Sequence, residues 1–152
     1  MNHSAKAEAY FIQGYNCAQA TSAPFACDFG IEESHILRST AGFGGGMGGL
    51  RETCGAVSAI VYVAGLHSGA YAPEDLESKK ALYDLVKSMI REFMEQHGTT
   101  CCRDLLARAS CQPVPDPSER NAAYYATRPC ARIVASAAEI LSRTLELSRR
   151  GV

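Results

Sequence analysis

Residues 73–98, PEDLESKKALYDLVKSMIREFMEQHG, form the clearest periodic stretch of this chain. One face repeats at the i, i+3, i+4, i+7 spacing of a helix, and Lys and Glu residues occupy the opposite face. The spacing predicts an amphipathic helix that opens at Pro73 and ends near Gly98, because proline suits a first helical turn and glycine a C-terminal cap. The buried face is predicted to comprise Leu82, Leu85, Val86, Met89, Ile90, Phe93 and His97.

The helical period continues on both sides of this segment. Helices are predicted over residues 4–13, 16–26, 31–41, 53–67, 100–109 and 118–126, and a last helix is predicted to open at Pro129. No segment shows the alternation that is typical of a strand. An all-α fold is therefore predicted, a compact helical bundle, and the 152 residues fit a single domain over 1–152.

Charge and hydropathy exclude several function classes. The 15 Lys and Arg residues nearly balance the 16 Asp and Glu residues, which disfavours nucleic acid or an anionic membrane as a partner. The most apolar stretch, residues 56–66, is far shorter than the roughly 20 residues of a membrane-spanning helix, so no membrane insertion is expected. Residues 1–13 lack the apolar core of a secretory signal, so we expect a cytoplasmic protein. A redox partner protein or small molecule is expected, without its identity, and a homo-oligomer is compatible with the sequence.

Cysteine is abundant, with seven residues in the chain. In a reducing cytoplasm such richness favours metal or redox chemistry over structural disulfides. Four of the cysteines follow residues that begin helices, where free backbone N–H groups and a partial positive charge favour the thiolate. These are Cys17 after Asn16, Cys54 after Thr53, Cys102 two residues after Thr100, and Cys130 after Pro129.

The other three cysteines carry a weaker signal. Cys27 and Cys111 have no helix-starting residue beside them and are expected to be inert apolar filler. Cys101 adjoins Cys102, where a strain-free disulfide is improbable, so it is expected to be a bystander.

The use of the four thiolates stays open at this point. All four can be ligands of an iron–sulfur cluster, or two can form a reversible disulfide with no cofactor. A structural zinc ranks lowest because the chain has no C-x-x-C pair. The candidate functions are electron transfer or thiol–disulfide exchange, as an oxidoreductase or a redox carrier, and a non-catalytic metal-binding or protein-interaction module. Cys54 is expected to matter most, because Thr53, Arg51 and a glycine loop lie near it in sequence.

The glycine loop, GFGGGMGG over residues 42–49, admits two interpretations. Glycines before a helix can bind phosphate, but this loop follows a predicted helix and lacks a Gly-Lys-Ser or Gly-Lys-Thr, which disfavours nucleotide binding. We expect instead that the glycines let the backbone turn tightly and pass close to whatever the cysteines hold.

Several short motifs together resemble the C-GCAxxG-C-C family of redox-active proteins. They are GYNCAQA at 14–20, AGFGGGMG at 41–48, ETCGA at 52–56, CRDLL at 102–106 and the late Cys130. The resemblance implies a small helical protein with redox activity. It also implies four characteristic cysteines, at Cys17, Cys54, Cys102 and Cys130. The chain departs from the pattern at Ala59, where the family motif has a glycine.

Overall fold

A computed structural model describes residues 1–150, with side chains through Glu146. The regular elements of this part of the chain are all helices, joined by loops, and it contains no strand, which confirms the all-α prediction. The α-helices are α1 (His3–Ile12), α2 (Cys17–Ser22), α3 (Glu33–Thr40), α4 (Gly55–Ser68), α5 (Leu76–His97), α6 (Cys102–Arg108), α7 (Ala122–Thr127) and α8 (Cys130–Arg150).

Helix α8 lies at the centre of the packing and contacts α1, α2, α4 and α5. Its inner face buries an unbroken row of apolar side chains, which drives this packing through the removal of apolar surface from water. Helix α4 packs against α2, α5 and α8 with small buried residues, including Ala56, Ala59 and Ala64. The methyl group of Ala59, where the family motif has glycine, is thus accommodated within the core. The buried residues of α8 include Val134, Ala137, Ala138, Ile140 and Leu141.

Helix α5 begins later than its sequence predicts. It starts at Leu76 instead of Pro73, because the Asp75 carboxylate accepts a hydrogen bond from the Ser78 N–H at 3.0 Å and caps the helix. Its predicted end is confirmed, with Gly98 at a φ of 82° after His97. Met89 and Phe93 are fully buried, and the other predicted apolar positions pack at the edge of the core.

Two of the short helices are shorter than expected, α2 because it ends sooner and α7 because it begins later. Helix α2 stops at Ser22, where Pro24 follows in a single 3-10 turn over Ala23–Phe25. Helix α7 is shorter than the predicted 118–126 and is capped by Asn121, whose side chain accepts a hydrogen bond from the Tyr124 N–H.

Two predicted threonine caps are wrong. Cys54 is itself the N-cap of α4, and Cys101 is the N-cap of α6. Thr53 instead forms an antiparallel bridge with Cys101, in which the Cys54 N–H donates to the Thr100 carbonyl at 2.8 Å. The pairing of two segments that lie far apart in sequence has displaced the local caps.

The same pairing fixes Cys102. Its N–H donates to the Glu52 carbonyl at 2.5 Å, and the Arg103 N–H donates to the Arg51 carbonyl at 3.0 Å. The starts of α4 and α6 are therefore held side by side by the backbone. At the start of α2, by contrast, the predicted Asn16 cap is confirmed, with a capping box to Gln19.

Among the residues that the structure describes, none of the helices has the length and apolar character needed to cross a bilayer.

Candidate functional site: a cavity lined by four cysteines

One cavity of about 530 Å³ has all four sequence-selected cysteines on its wall. Cys17 and Cys130 are the first residues of α2 and α8, Cys102 is the first residue of α6, and Cys54 immediately precedes α4. The fold thus brings four helix starts from different parts of the chain to one place.

The glycine loop wraps one side of this cavity. Gly46 has a φ of 78°, and a Cβ atom there would lie 2.7 Å from the Cys102 Cβ and 2.8 Å from the Arg51 Cα. A Cβ at Gly55 would lie 3.2 Å from the Cys17 Cβ. The glycine at 46 therefore lets the loop pass close to Arg51 and Cys102, and the expected approach to a group held by the cysteines stays a prediction.

Cys17 and Cys130 form an interacting pair of thiols. The hydrogen bond between them raises the pKa of Cys17 well above its ordinary value and lowers the pKa of Cys130. Burial opposes the lowering at Cys130 and adds to the increase at Cys17. These opposite shifts make Cys130 the thiol of the pair with the lower pKa and Cys17 the one with the higher pKa.

Arginines supply the second cause of the low Cys130 pKa. Arg128, Arg120 and Arg51 all lower it through their positive charge, and all three line the cavity. Arg128 donates to the Ser118 hydroxyl at 3.2 Å, and its guanidinium lies 4.9 Å from the centre of the Tyr124 ring.

The Arg120 guanidinium is held both by hydrogen bonds from its N–H groups and by contacts of its planar face with aromatic rings. It donates to the carbonyl oxygens of Phe11 and Tyr15 at 3.3 and 3.2 Å. It also lies 4.5 Å from the Phe11 ring and 4.6 Å from the Tyr124 ring. These contacts fix a positive charge at the cavity wall without a carboxylate.

Arg51 joins the cavity to the segment that follows α6. Its Nε donates to the Val114 carbonyl at 2.7 Å, and its Nη1 lies 3.7 Å from the Cys102 Sγ. The residue has a φ of 59°, a left-handed conformation that is uncommon for a side-chain-bearing residue. Its backbone N–H donates to the Gly45 carbonyl at 3.0 Å, which helps to hold it there.

Cys54 differs from the pair. Only 4% of its surface is exposed, and burial raises its pKa to about 12, although the backbone N–H groups of Ala56 and Val57 act in the opposite direction. The prediction that a helix start favours the thiolate is therefore wrong at Cys54 and at Cys17, because burial and the neighbouring thiols outweigh the helix end. At Cys130 the pKa is lowered as expected, but the causes are the Cys17 thiol and the arginine charges.

A family comparison agrees with the cysteine pattern. The family model described as "Putative redox-active protein (C_GCAxxG_C_C)" matches residues 15–144. The chain belongs to this family. No curated protein and no solved structure matches the chain.

Sequence reasoning missed two residues of this C_GCAxxG_C_C site, Arg120 and Tyr124. They lie on the connection after α6 and on α7, distant in sequence from three of the cysteines, and no local motif marks them. The only available signal was the presence of two arginines, Arg120 and Arg128, between Pro117 and Pro129 in the segment before Cys130.

The remaining cysteines lie outside the cavity lining. Cys27 is exposed, so its expected role as buried filler is wrong. Cys111 is half-buried, and its thiol donates to the Thr127 carbonyl at 3.2 Å. The Cys101 thiol donates to the Arg51 carbonyl at 3.5 Å, and Cys101 is not part of a disulfide.

The donor set discriminates between kinds of metal centre. Within the described side chains, no three His, Cys, Asp or Glu residues converge closely enough to hold one metal ion. A single zinc ion therefore does not fit this arrangement. An iron–sulfur cluster distributes its cysteine ligands over several iron atoms, and the four sulfurs around one cavity are the appropriate donor type.

Proposed function

We propose that this protein carries out thiol–disulfide exchange, with Cys130 as the attacking thiolate and Cys17 as the second thiol of the pair. The observation that supports this most strongly is that Cys17 and Cys130 lie on the wall of one cavity, where the interaction of the two thiols lowers the pKa of Cys130 and raises that of Cys17. Exchange requires one thiolate at neutral pH and a protonated neighbour that can react later. Both residues are half-buried and line the cavity, which is large enough to admit a small molecule.

The reaction balances as a two-electron transfer. The Cys130 thiolate attacks one sulfur of a substrate disulfide, a Cys130–substrate S–S bond forms, and the other substrate sulfur leaves as a thiolate. Cys17 then gives its proton to that leaving thiolate and attacks the Cys130 sulfur. The Cys17–Cys130 disulfide forms, the second substrate thiolate leaves, and the substrate disulfide has been reduced. Two thiols of a reducing partner return the pair to its starting state by the same steps in reverse.

The other two cysteines support the pair without taking part in the exchange. Cys54 stays protonated at neutral pH because it is buried, and it closes the cavity beside α4. Cys102 lies next to Arg51, whose charge also acts on Cys130. A reducing compartment such as the cytoplasm suits this pair, because thiols must reduce the Cys17–Cys130 disulfide after each reaction.

Site-resolved alkylation tests this proposal. In a Cys27→Ser background, which removes the exposed thiol, iodoacetamide at about pH 7 is expected to modify Cys130 faster than any other cysteine. Mild oxidation is expected to give a Cys17–Cys130 disulfide, identified by peptide mapping. Cys111→Ser is the matched control and is expected to change neither result. Preferential modification of Cys54, or a disulfide that excludes Cys130, contradicts the proposal.

An iron–sulfur cluster is the second candidate, favoured by the placement of four cysteines around one cavity. Cys17, Cys54, Cys102 and Cys130 would hold it, and it would supply one-electron transfer. Anaerobic reconstitution with iron and sulfide separates the candidates. A cluster requires Cys54, so Cys54→Ser should abolish iron binding, whereas the exchange reaction should survive that substitution. Absence of bound iron and sulfide in the anaerobic wild-type protein rules against the cluster.

A further inference from the structure

Apart from the Cys130 thiolate, the charged side chains on the cavity wall are all positive. They are Arg51, Arg120 and Arg128, and no Asp, Glu or Lys side chain lines the cavity. Within the described part of the chain, the ion pairs use His3, Lys80, Lys87 and Arg143 as cations and none of these three arginines. Three half-buried guanidinium groups therefore surround the thiol pair without carboxylate partners.

These guanidinium groups are oriented before any ligand arrives. Each is held by a hydrogen bond to the protein, from Arg51 to the Val114 carbonyl, from Arg120 to two carbonyls, and from Arg128 to the Ser118 hydroxyl. A guanidinium has five N–H donors, so each retains donors beyond those used in these contacts. Fixed, partly desolvated arginines match carboxylates well because two parallel N–H···O bonds can form.

We propose that the substrate disulfide is a small molecule that carries carboxylate groups, which bind the three arginines while its S–S bond meets Cys130. This inference rests on the proposed exchange function and names its substrate class. The cavity volume of about 530 Å³ is in the range of small-molecule sites. Tyr124, Leu105 and Ile133 supply apolar wall for the methylene groups between the carboxylates and the sulfurs.

Three small disulfides of similar length test the charge preference. Dithiodipropionate carries two carboxylates, bis(hydroxyethyl) disulfide is neutral, and cystamine carries two ammonium groups. The rate of Cys17–Cys130 oxidation by each is divided by its rate with dithiothreitol, a neutral thiol, which removes differences in intrinsic reactivity. We expect the dianion to react about tenfold faster than the neutral disulfide, and the dication about tenfold slower, at low salt. Equal normalised rates overturn the proposal.

Variants that remove one arginine charge test which arginine causes the preference for the dianionic disulfide. Arg128→Gln should reduce the dianion-to-neutral rate ratio about fivefold, since it removes one charged hydrogen-bond donor. The ratio cancels the accompanying change in the Cys130 pKa, and Arg128→Lys should retain part of the preference. Arg132→Gln is the matched control, because Arg132 is an exposed arginine in the first turn of α8, two residues after Cys130, and does not line the cavity. A similar loss in Arg132→Gln assigns the preference to the general field of the protein and overturns the proposal.

A binding measurement separates this inference from the exchange reaction. Suberate replaces the S–S bond of dithiodipropionate with CH₂–CH₂ and cannot be reduced. Calorimetry on the reduced protein is expected to detect suberate binding that Arg128→Gln weakens and Arg132→Gln does not. If no disulfide oxidises the pair but suberate binds in this way, the exchange function fails and the carboxylate site stands. If oxidation proceeds without charge preference and suberate does not bind, the substrate class is wrong and the exchange function stands.

Discussion

Replacing Cys17 with alanine removes the largest single cause of the low Cys130 pKa. In the wild-type protein, that pKa is lowered from 9.0 to about 7, first by the hydrogen bond from Cys17 and then by the three arginines, against the effect of burial. A hydrogen bond to a charged group contributes about 1.5–3 kcal/mol, and about 1.4 kcal/mol corresponds to one pKa unit. We therefore expect the Cys130 pKa to rise by about one to two units in Cys17→Ala.

The assay follows iodoacetamide modification of Cys130 between about pH 5 and 10, with peptide mapping in a Cys27→Ser background. The wild-type midpoint should lie near pH 7, and the variant should have roughly a tenth of the thiolate at that pH, as a shift of over one unit requires. Cys17→Ser should give a smaller shift, because a hydroxyl still donates to the thiolate. An unchanged midpoint in Cys17→Ala would refute the pairing of these two thiols. Cys111→Ala serves as the control and should leave the midpoint in place.

Two further predictions concern stability. The folded-state pKa of Cys54 is raised, so its contribution is fully present below the unfolded-state pKa of about 9 and is lost as the pH rises toward about 12. Urea unfolding of wild type and Cys54→Ala should therefore differ by about 1.4 kcal/mol less at pH 10 than at pH 7, and an unchanged difference contradicts the buried protonated thiol. In the glycine loop, Gly46→Ala should lower the free energy of unfolding by about 2 kcal/mol or more, since its φ is positive and its Cβ would meet the Cys102 Cβ. Gly48→Ala, with a positive φ but open space, should cost about 1 kcal/mol, and Gly42→Ala, with neither feature, should be nearly neutral; equal losses in all three variants are inconsistent with this packing.

Local patterns in the sequence were sufficient to predict the architecture. The helical period around Met89 and Phe93 corresponds to a side of α5 that is buried in the core, because burial of apolar surface selects the same face that the spacing marks. The Asn16 cap and the glycine end of α5 were also predicted correctly, since each depends on hydrogen bonds within a few residues. The four cysteines were selected from their neighbours alone, and they line one cavity.

Only the tertiary structure decided how those cysteines differ. Thr53 and Thr100 lost their predicted capping roles because segments about fifty residues apart pair through their backbones, an interaction that no local signal encodes. Arg120 reaches the cavity from the connection before α7 and is held there by contacts with α1 and α7. A thiol pKa is a balance of burial against nearby charges and hydrogen bonds, so sequence could name Cys130 but not its difference from Cys54. That balance depends on groups brought together by folding, and it lowers the pKa of Cys130 while it raises the pKa of Cys54.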